Sequence, residues 1–401
     1  MTTTRGRILV GAGSLVLVAM VASYAPTPLY PAYQARWGMS ESDVSLAFAG
    51  YPVGVVVVLL GLGGLSDRIG RRATMLIGLA VMTFAMLILG FASGLPMLVG
   101  GRLLHGMAAG LITAAAAAAL MQLHPRGADA GSFLNAFLVS LGVAVGPFVA
   151  GALAEHLPRP VLTPYLVVLA LLLVPLISLA FSREAPSPPG APGRLVRRLR
   201  VPRQIAARWG LAAAAIVVTN TLFGLVGAFG PLVAHELGWR SESAVGQLVA
   251  LPLALVAVAQ IGGRWLGHVP ALLIGTPLAA LGWFVLALGT SGSTASTVLV
   301  GFSLLGAGAG LNLFGAATLI GVISPKDRQA EIYAAWLVVA FGTLATSALL
   351  AGPLVSHFPL ASVLTGCGVL AAALACWIVP GTRRLLSASR EADQEIRSRQ
   401  A

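Results

Sequence analysis

The stretch Gly63-Gly64-Leu65-Ser66-Asp67-Arg68-Ile69-Gly70-Arg71-Arg72 puts one carboxylate, three arginines and three glycines into ten residues. It sits where one long apolar run gives way to the next. Such runs continue on both sides of it. They fall at about 8–30, 43–65, 73–93, 96–122, 129–154 and 161–181, then at 209–233, 243–267, 270–290, 295–322, 329–353 and 360–380. Each is near the roughly 20 apolar residues that a membrane helix needs. The pattern predicts an all-α membrane protein with twelve transmembrane helices in two six-helix halves.

Composition agrees. The chain has 401 residues, 57% hydrophobic and 9% charged, with a mean hydropathy of +0.90. Soluble domains carry roughly 25% charged residues. An ordinary cytosolic enzyme and a disordered chain are both excluded, because there is too little polar surface for either. The net charge of +12 would suggest nucleic acid in a soluble protein. Here the basic residues lie between apolar runs, so no nucleic-acid partner is expected. With the N-terminus placed in the cytoplasm, 21 of the 25 basic residues fall on the cytoplasmic side. Arg36, Arg159 and Arg240 fall outside, and Arg102 is inside a span. The positive-inside rule therefore predicts both termini in the cytoplasm, in a cell (inner) membrane, with anionic lipid at the Arg-rich loops. Cys367 and Cys376 lie nine positions apart in one run, roughly 13 Å along a helix axis. That is too far for a disulfide.

The chain repeats itself at an offset near 200. Ser40-Glu41-Ser42-Asp43-Val44 returns as Ser241-Glu242-Ser243-Ala244-Val245, and Pro52 returns as Pro252. Leu98-Val99-Gly100 returns as Leu299-Val300-Gly301, and His124-Pro125-Arg126 as Ser324-Pro325-Lys326. Six spans per copy keep both copies in one orientation, which predicts a parallel pseudo-two-fold. The expected organisation is a bundle over 1–181, a cytoplasmic linker over 182–208, a second bundle over 209–380 and a cytoplasmic tail over 381–401. Pro186, Pro188, Pro189 and Pro192 open the linker, and Arg194, Arg197, Arg198, Arg200, Arg203 and Arg208 follow. The first run imitates a secretory signal peptide. It is expected to stay as a span, because the repeat gives it a counterpart in the second half. Ser40 to Ser42 offer N-cap oxygens to the second run. Asp129 is expected to cap the fifth.

The 63–72 stretch closely resembles the signature loop of the major facilitator superfamily, Gly-x-Leu-x-Asp-Arg-x-Gly-Arg-Arg/Lys. A carboxylate at one helix end can meet the positive N-terminus of another. The resemblance implies a conformational latch of Gly63, Asp67, Arg68, Gly70, Arg71 and Arg72. Asp67 would dock near Gln329 to Glu331 when the transporter faces outward. Arg102, Gly106 and Gly110 in the fourth span resemble a second family pattern. An arginine inside the apolar region costs at least about 2.5 kcal/mol to insert, so it is a functional candidate. His105 shares its face. In the fifth span Gly142, Gly146, Pro147 and Gly151 resemble the motif that marks the antiporter branches, drug:proton antiporters included. Glycines four apart permit close helix approach. Pro147 cannot donate to the Val143 carbonyl, so the helix can bend there. These four residues are the expected gate.

The chain also departs from the family pattern. The loop Gly262-Gly263-Arg264-Trp265-Leu266-Gly267 is a shortened copy of the signature without its Asp. No Asp or Glu lies in the middle of any run, whereas antiporters for cationic drugs often carry one in the first span. Arg102 with His105, or Glu155 with His156, would have to serve proton coupling instead. Polar and aromatic groups at mid-depth are the candidate cavity residues: Tyr24, Thr27, Tyr51, Asn135, Thr219, Asn220, Phe223, Asn312 and Trp336. No Walker loop is present, since the one Lys follows Pro325. His235-Glu236 starts a zinc-protease pattern, but Trp239 stands where the second ligand belongs. No enzyme activity, metal or cofactor is expected. The expectation is a monomeric secondary transporter that exports small amphipathic or drug-like molecules against protons by alternating access. The alternative is an importer of a small polar metabolite, by proton symport or uniport.

Overall fold

The computed structural model describes residues 2–182, 199–325 and 328–400. Pro186, Pro188, Pro189, Pro192, Arg194, Arg197, Arg198 and Lys326 lie outside the described residues. Among those described, twelve helices are long and apolar enough to cross a membrane. Spans 1 to 6 are Arg5–Trp37, Glu41–Gly61, Arg71–Gly90, Leu95–Leu123, Ala128–His156 and Thr163–Ala180. Spans 7 to 12 are Arg203–Glu236, Glu242–Leu266, His268–Ser291, Ala295–Ile323, Gln329–His357 and Leu360–Arg384. Large apolar side chains face outward along them: Phe84, Phe148, Leu288 and Trp377 are each more than half exposed. Water would penalise that surface; hydrocarbon accepts it, because the helices satisfy their own backbone.

Local chemistry sets the ends and breaks of these helices. Span 1 is helical over Thr2–Tyr24, breaks, and resumes over Tyr30–Trp37. Pro26 and Pro28 lie in the break and lack the N–H groups that a continuous helix would need. Span 6 forms two pieces, Thr163–Leu171 and Leu173–Ala180. The last helix runs over Leu360–Gln400, past the end of its apolar run. Ser40 caps span 2 in a full capping box with Asp43. The expected cap of span 5 is corrected: Gly127 holds that position and Asp129 stands in the first turn. Gly127 makes the turn with φ +90°, which leaves the Asp129 charge to act on the helix dipole instead.

The chain divides into two units. The first comprises Met1–Arg198, Phe223–Ala254 and Phe341–His357. It holds spans 1 to 6 together with the segments of spans 7, 8 and 11 that lie toward the end of the unit opposite the N-terminus, here called the distal end. Spans 2 and 4 touch backbone to backbone, since a methyl on Gly106 would overlap the Tyr51 carbonyl and one on Gly54 the Leu103 carbonyl. The second unit comprises Leu199–Leu222, Leu255–Ala340 and Phe358–Ala401. Its core gathers Ala212, Ala215, Leu272, Ala316, Ile320, Ile332, Trp336 and Ile378, all buried.

Candidate functional site

The signature loop folds as the short helix Leu65–Ile69 followed by Gly70 at φ +88°, ψ 160°. Gly267, at the end of the shortened second copy, takes φ 86°, ψ 161°. The two copies therefore share one turn, although only the first carries an Asp. This φ favours glycine at both places. The basic groups around the first loop bond to carbonyls on other helices. Arg71 donates to the Ala118 carbonyl (3.2 Å), and Arg72 to those of Leu179 (2.9 Å) and Ala180 (3.2 Å). Arg5 donates to Leu123 (2.8 Å) and Arg7 to Phe181 (3.0 Å). Most of these acceptors are the open carbonyls of helix C-termini, where a cation also meets the negative end of the dipole. Asp67 lies in the short helix, close enough to Arg71 for the two charges to interact.

In the second unit, Glu331 stands in the first turn of span 11. It accepts from the Arg200 backbone N–H (3.0 Å) and from Arg328 Nε (3.1 Å), and Arg328 also donates to the Arg200 carbonyl (3.1 Å).

Arg102 and His105 are both 0% exposed, and among the described residues they are the only buried members of the Arg, Lys, His, Asp and Glu set. Arg102 Nη1 donates to the Ser23 carbonyl (2.9 Å), and Nη2 donates to that of Phe48 (3.5 Å). Both acceptors were left open by the fold. Ser23 is in the last turn of the helix that ends at Tyr24. Phe48 lies four residues before Pro52, which has no N–H to offer it. The guanidinium also sits 5.3 Å from the Phe48 ring centre and 5.2 Å from that of Tyr51. This buried cation is therefore held by carbonyl dipoles and π faces. Arg102 Nη1 also lies 3.3 Å from His105 Nδ1. Arginine can only donate, so Nδ1 accepts and the ring proton belongs on Nε2. That nitrogen is buried and has no hydrogen-bond partner among the described residues. The His105 ring lies 5.1 Å from that of Tyr51.

Other expected cavity residues join this group. Tyr24 Oη donates to the Phe223 carbonyl (2.9 Å), and Thr27 Oγ1 to that of Gly227 (3.3 Å). Gly227 precedes Pro231 by four, so its carbonyl too was left open by a proline. The Phe48 ring fills the space where a Gly227 side chain would stand. Asn135 is partly buried, and its Oδ1 has no hydrogen-bond partner among the described residues. The remaining candidates lie in the second unit. Thr219 bonds the Ala215 and Ala309 carbonyls, and Asn220 the Ile216 carbonyl. Asn312 accepts from Thr276 (2.8 Å), and Trp336 donates to the Ala212 carbonyl (3.1 Å) from within the core. Phe48 and Gly227 were not singled out from the sequence. A proline four residues after each was the available signal.

The glycines expected to form the gate are contact points. A methyl on Gly142 would stand 2.6 Å from Met20 Cβ, and one on Gly146 would overlap the Val21 carbonyl. Both contacts join span 5 to span 1. A methyl on Gly151 would overlap the Glu242 carbonyl, and one on Gly246 that of Pro147, where span 5 meets span 8. Glu155 is exposed at the end of span 5, and its Oε2 accepts from the Ser243 backbone N–H (2.9 Å).

Known proteins were compared with this chain. The "Multidrug efflux protein YfmO" of Bacillus subtilis is 29% identical over 154 residues, covering 38% of this chain and 38% of that protein. The "Methylenomycin A resistance protein" of B. subtilis is 34% identical over 121 residues, covering 29% of this chain and 26% of that protein. The chain spans only 22–38% of the length of the first curated relatives it matches. A bacterial homolog of the human lysosomal transporter Spinster, solved in an inward-facing and unoccupied conformation, superposes with a TM-score of 0.78 at 15% identity, covering 96% of this chain and 98% of that one. That likeness shows the twelve-helix fold. The sequence model of the Major Facilitator Superfamily matches residues 12–342. This multi-pass membrane chain therefore belongs to the Major Facilitator Superfamily, a family of transporters and not of enzymes.

Proposed function

We propose that the protein exports small amphipathic or drug-like molecules, driven by inward proton movement, through alternating access of the halves 1–181 and 209–380. The observation that carries this reading is span 5. It meets span 1 through Gly142 and Gly146, and span 8 through Gly151 and Pro147. One bendable helix thus touches both halves of the repeat, as a gate requires. Similarity to multidrug efflux and methylenomycin resistance proteins supports export. The buried Arg102–His105 pair supports a coupling role, because imidazole changes charge near neutral pH when it can reach water. In this reading Asp67 docks at the start of span 11 when the protein faces outward. Substrate is met by the mid-depth polar and aromatic groups named above. The protein is a monomer in the inner membrane with both termini cytoplasmic, and its Arg-rich loops lie on anionic lipid.

The test is accumulation of dyes and antibiotics in efflux-deficient bacteria that express the protein, with and without a protonophore. The expected result is lower accumulation that the protonophore reverses. No change across a broad panel overturns the export reading. Lower accumulation that the protonophore leaves intact overturns the proton coupling.

A further inference from the structure

The repeat differs in one carboxylate at the start of the second span of each half, and the structure answers that difference elsewhere. In the first copy Asp43 completes the cap of span 2: its Oδ2 accepts from the Ser40 N–H (2.9 Å) and Ser40 Oγ accepts from the Asp43 N–H (3.2 Å). In the second copy Ala244 replaces that Asp. Ser241 Oγ still accepts from the Ala244 N–H (3.1 Å), but span 8 has no carboxylate of its own at that position. The first-turn Ser243 N–H instead donates to Glu155, at the end of span 5 (2.9 Å). The partner helices show the reverse exchange. Gly151-x-x-x-Glu155-His156 matches Gly352-x-x-x-Ser356-His357. Gly352 packs on Ser42, where a methyl would stand 2.5 Å from the Ser42 Cα, as Gly151 packs on Glu242. Ser356 sits where Glu155 would be, and its hydroxyl bonds back to the Gly352 carbonyl (2.9 Å). Two repeat-related contacts thus close the distal end of the first unit. Each has one capping carboxylate. At span 2 it is on the capped helix; at span 8 it is on the helix across the contact.

We propose that Glu155 is the latch of this distal closure: its carboxylate binds the N-terminus of span 8 only while the end is shut. A carboxylate on the capped helix stabilises that helix whatever its neighbour does. A carboxylate on the other helix stabilises the contact itself, and loses its partner when the helices separate. Glu155 then acts as a positioning residue and carries no buried proton. The proposal rests on alternating access, and on neither the substrate nor the proton coupling.

The test uses the full chain in lipid nanodiscs, with Cys367 and Cys376 replaced by serine. Spin labels at Leu157→Cys and Glu236→Cys read the distal separation by pulsed electron resonance. A charge at a helix terminus shifts an equilibrium roughly two- to fivefold. Glu155→Ala and Glu155→Gln are expected to raise the longer-distance population by that factor. Ala244→Asp should do the same, because a carboxylate on span 8 both satisfies its own first turn and repels Glu155. A role for Glu155 in helix stability alone predicts the opposite for Ala244→Asp, a neutral or more closed distribution, and that outcome overturns the latch. Unchanged distances in all three variants overturn it as well. Should the accumulation assay find no export while these distances still respond, the latch stands and the efflux reading fails.

Discussion

Arg102 shows how a cation is kept in an apolar interior with no buried carboxylate beside it among the described residues. Besides the bond to His105, it donates to two carbonyls that a helix end and a proline left unpaired. The same charge therefore offsets two costs of breaking helices inside a membrane. Lysine is a poor substitute, since one ammonium cannot span both carbonyls and stack between Phe48 and Tyr51. Arg102→Lys is expected to cut transport at least tenfold while the protein still reaches the membrane. His105→Gln keeps an acceptor for Arg102 and removes a titrating ring. That variant should fold at the normal level and lose the protonophore-sensitive part of transport. Full coupling in His105→Gln removes His105 from the proton path. The pairing of Arg102 with His105 was legible from their spacing of three residues on one helix face. The pairing of Arg102 with the Phe48 carbonyl was not: Pro52 marks that carbonyl as open, but which helix the guanidinium reaches is a tertiary fact.

At the scale of elements, Phe48 joins the cation to the distal closure. Its ring touches Arg102 on one side and occupies the empty place at Gly227 of span 7 on the other. A methyl at Gly227 would overlap that ring, so Gly227→Ala must push either Phe48 or span 7 away. Gly227→Ala is expected to reduce transport severely. Adding Phe48→Ala should restore part of it, because the shortened side chain removes the clash. Neighbouring positions of this kind couple by about 0.5–3 kcal/mol in a double-mutant cycle. Strictly additive losses in transport and melting temperature place Gly227 away from Phe48. The twelve runs, the signature loop and the repeat were readable from hydropathy and spacing alone, since each is a local pattern. The Ser40 cap was readable for the same reason. The start of span 5 was misread by two residues: Asp129 is a good cap by type, but Gly127 supplies the positive φ that turns the chain into the helix. The break in span 1 was signalled by Pro26 and Pro28. That the helix resumes as far as Trp37 depends on burial of Tyr30 and Tyr33, which is a tertiary fact.

For the whole molecule, two glycines five residues apart on one helix, Gly146 and Gly151, separate what is permanent from what must open. Gly146 meets the Val21 carbonyl of span 1, a contact inside the first half of the repeat. Alternating access moves halves, so this contact persists through the cycle. Gly151 meets the Glu242 carbonyl of span 8, a contact between residues of different halves, which one state must break. The same substitution should therefore have different consequences. Gly146→Ala forces a methyl against backbone that cannot yield, and overpacking of this kind costs about 1–3 kcal/mol. It should lower the melting temperature and the amount of folded protein in every state. Gly151→Ala penalises only the state in which spans 5 and 8 touch. It should leave the melting temperature nearly unchanged and move the spin-label distances toward the open distal end, with transport reduced because closure has become the difficult step. If both variants lower the melting temperature equally and neither shifts the distances, the two contacts belong to one rigid body, and span 5 is not where this transporter opens.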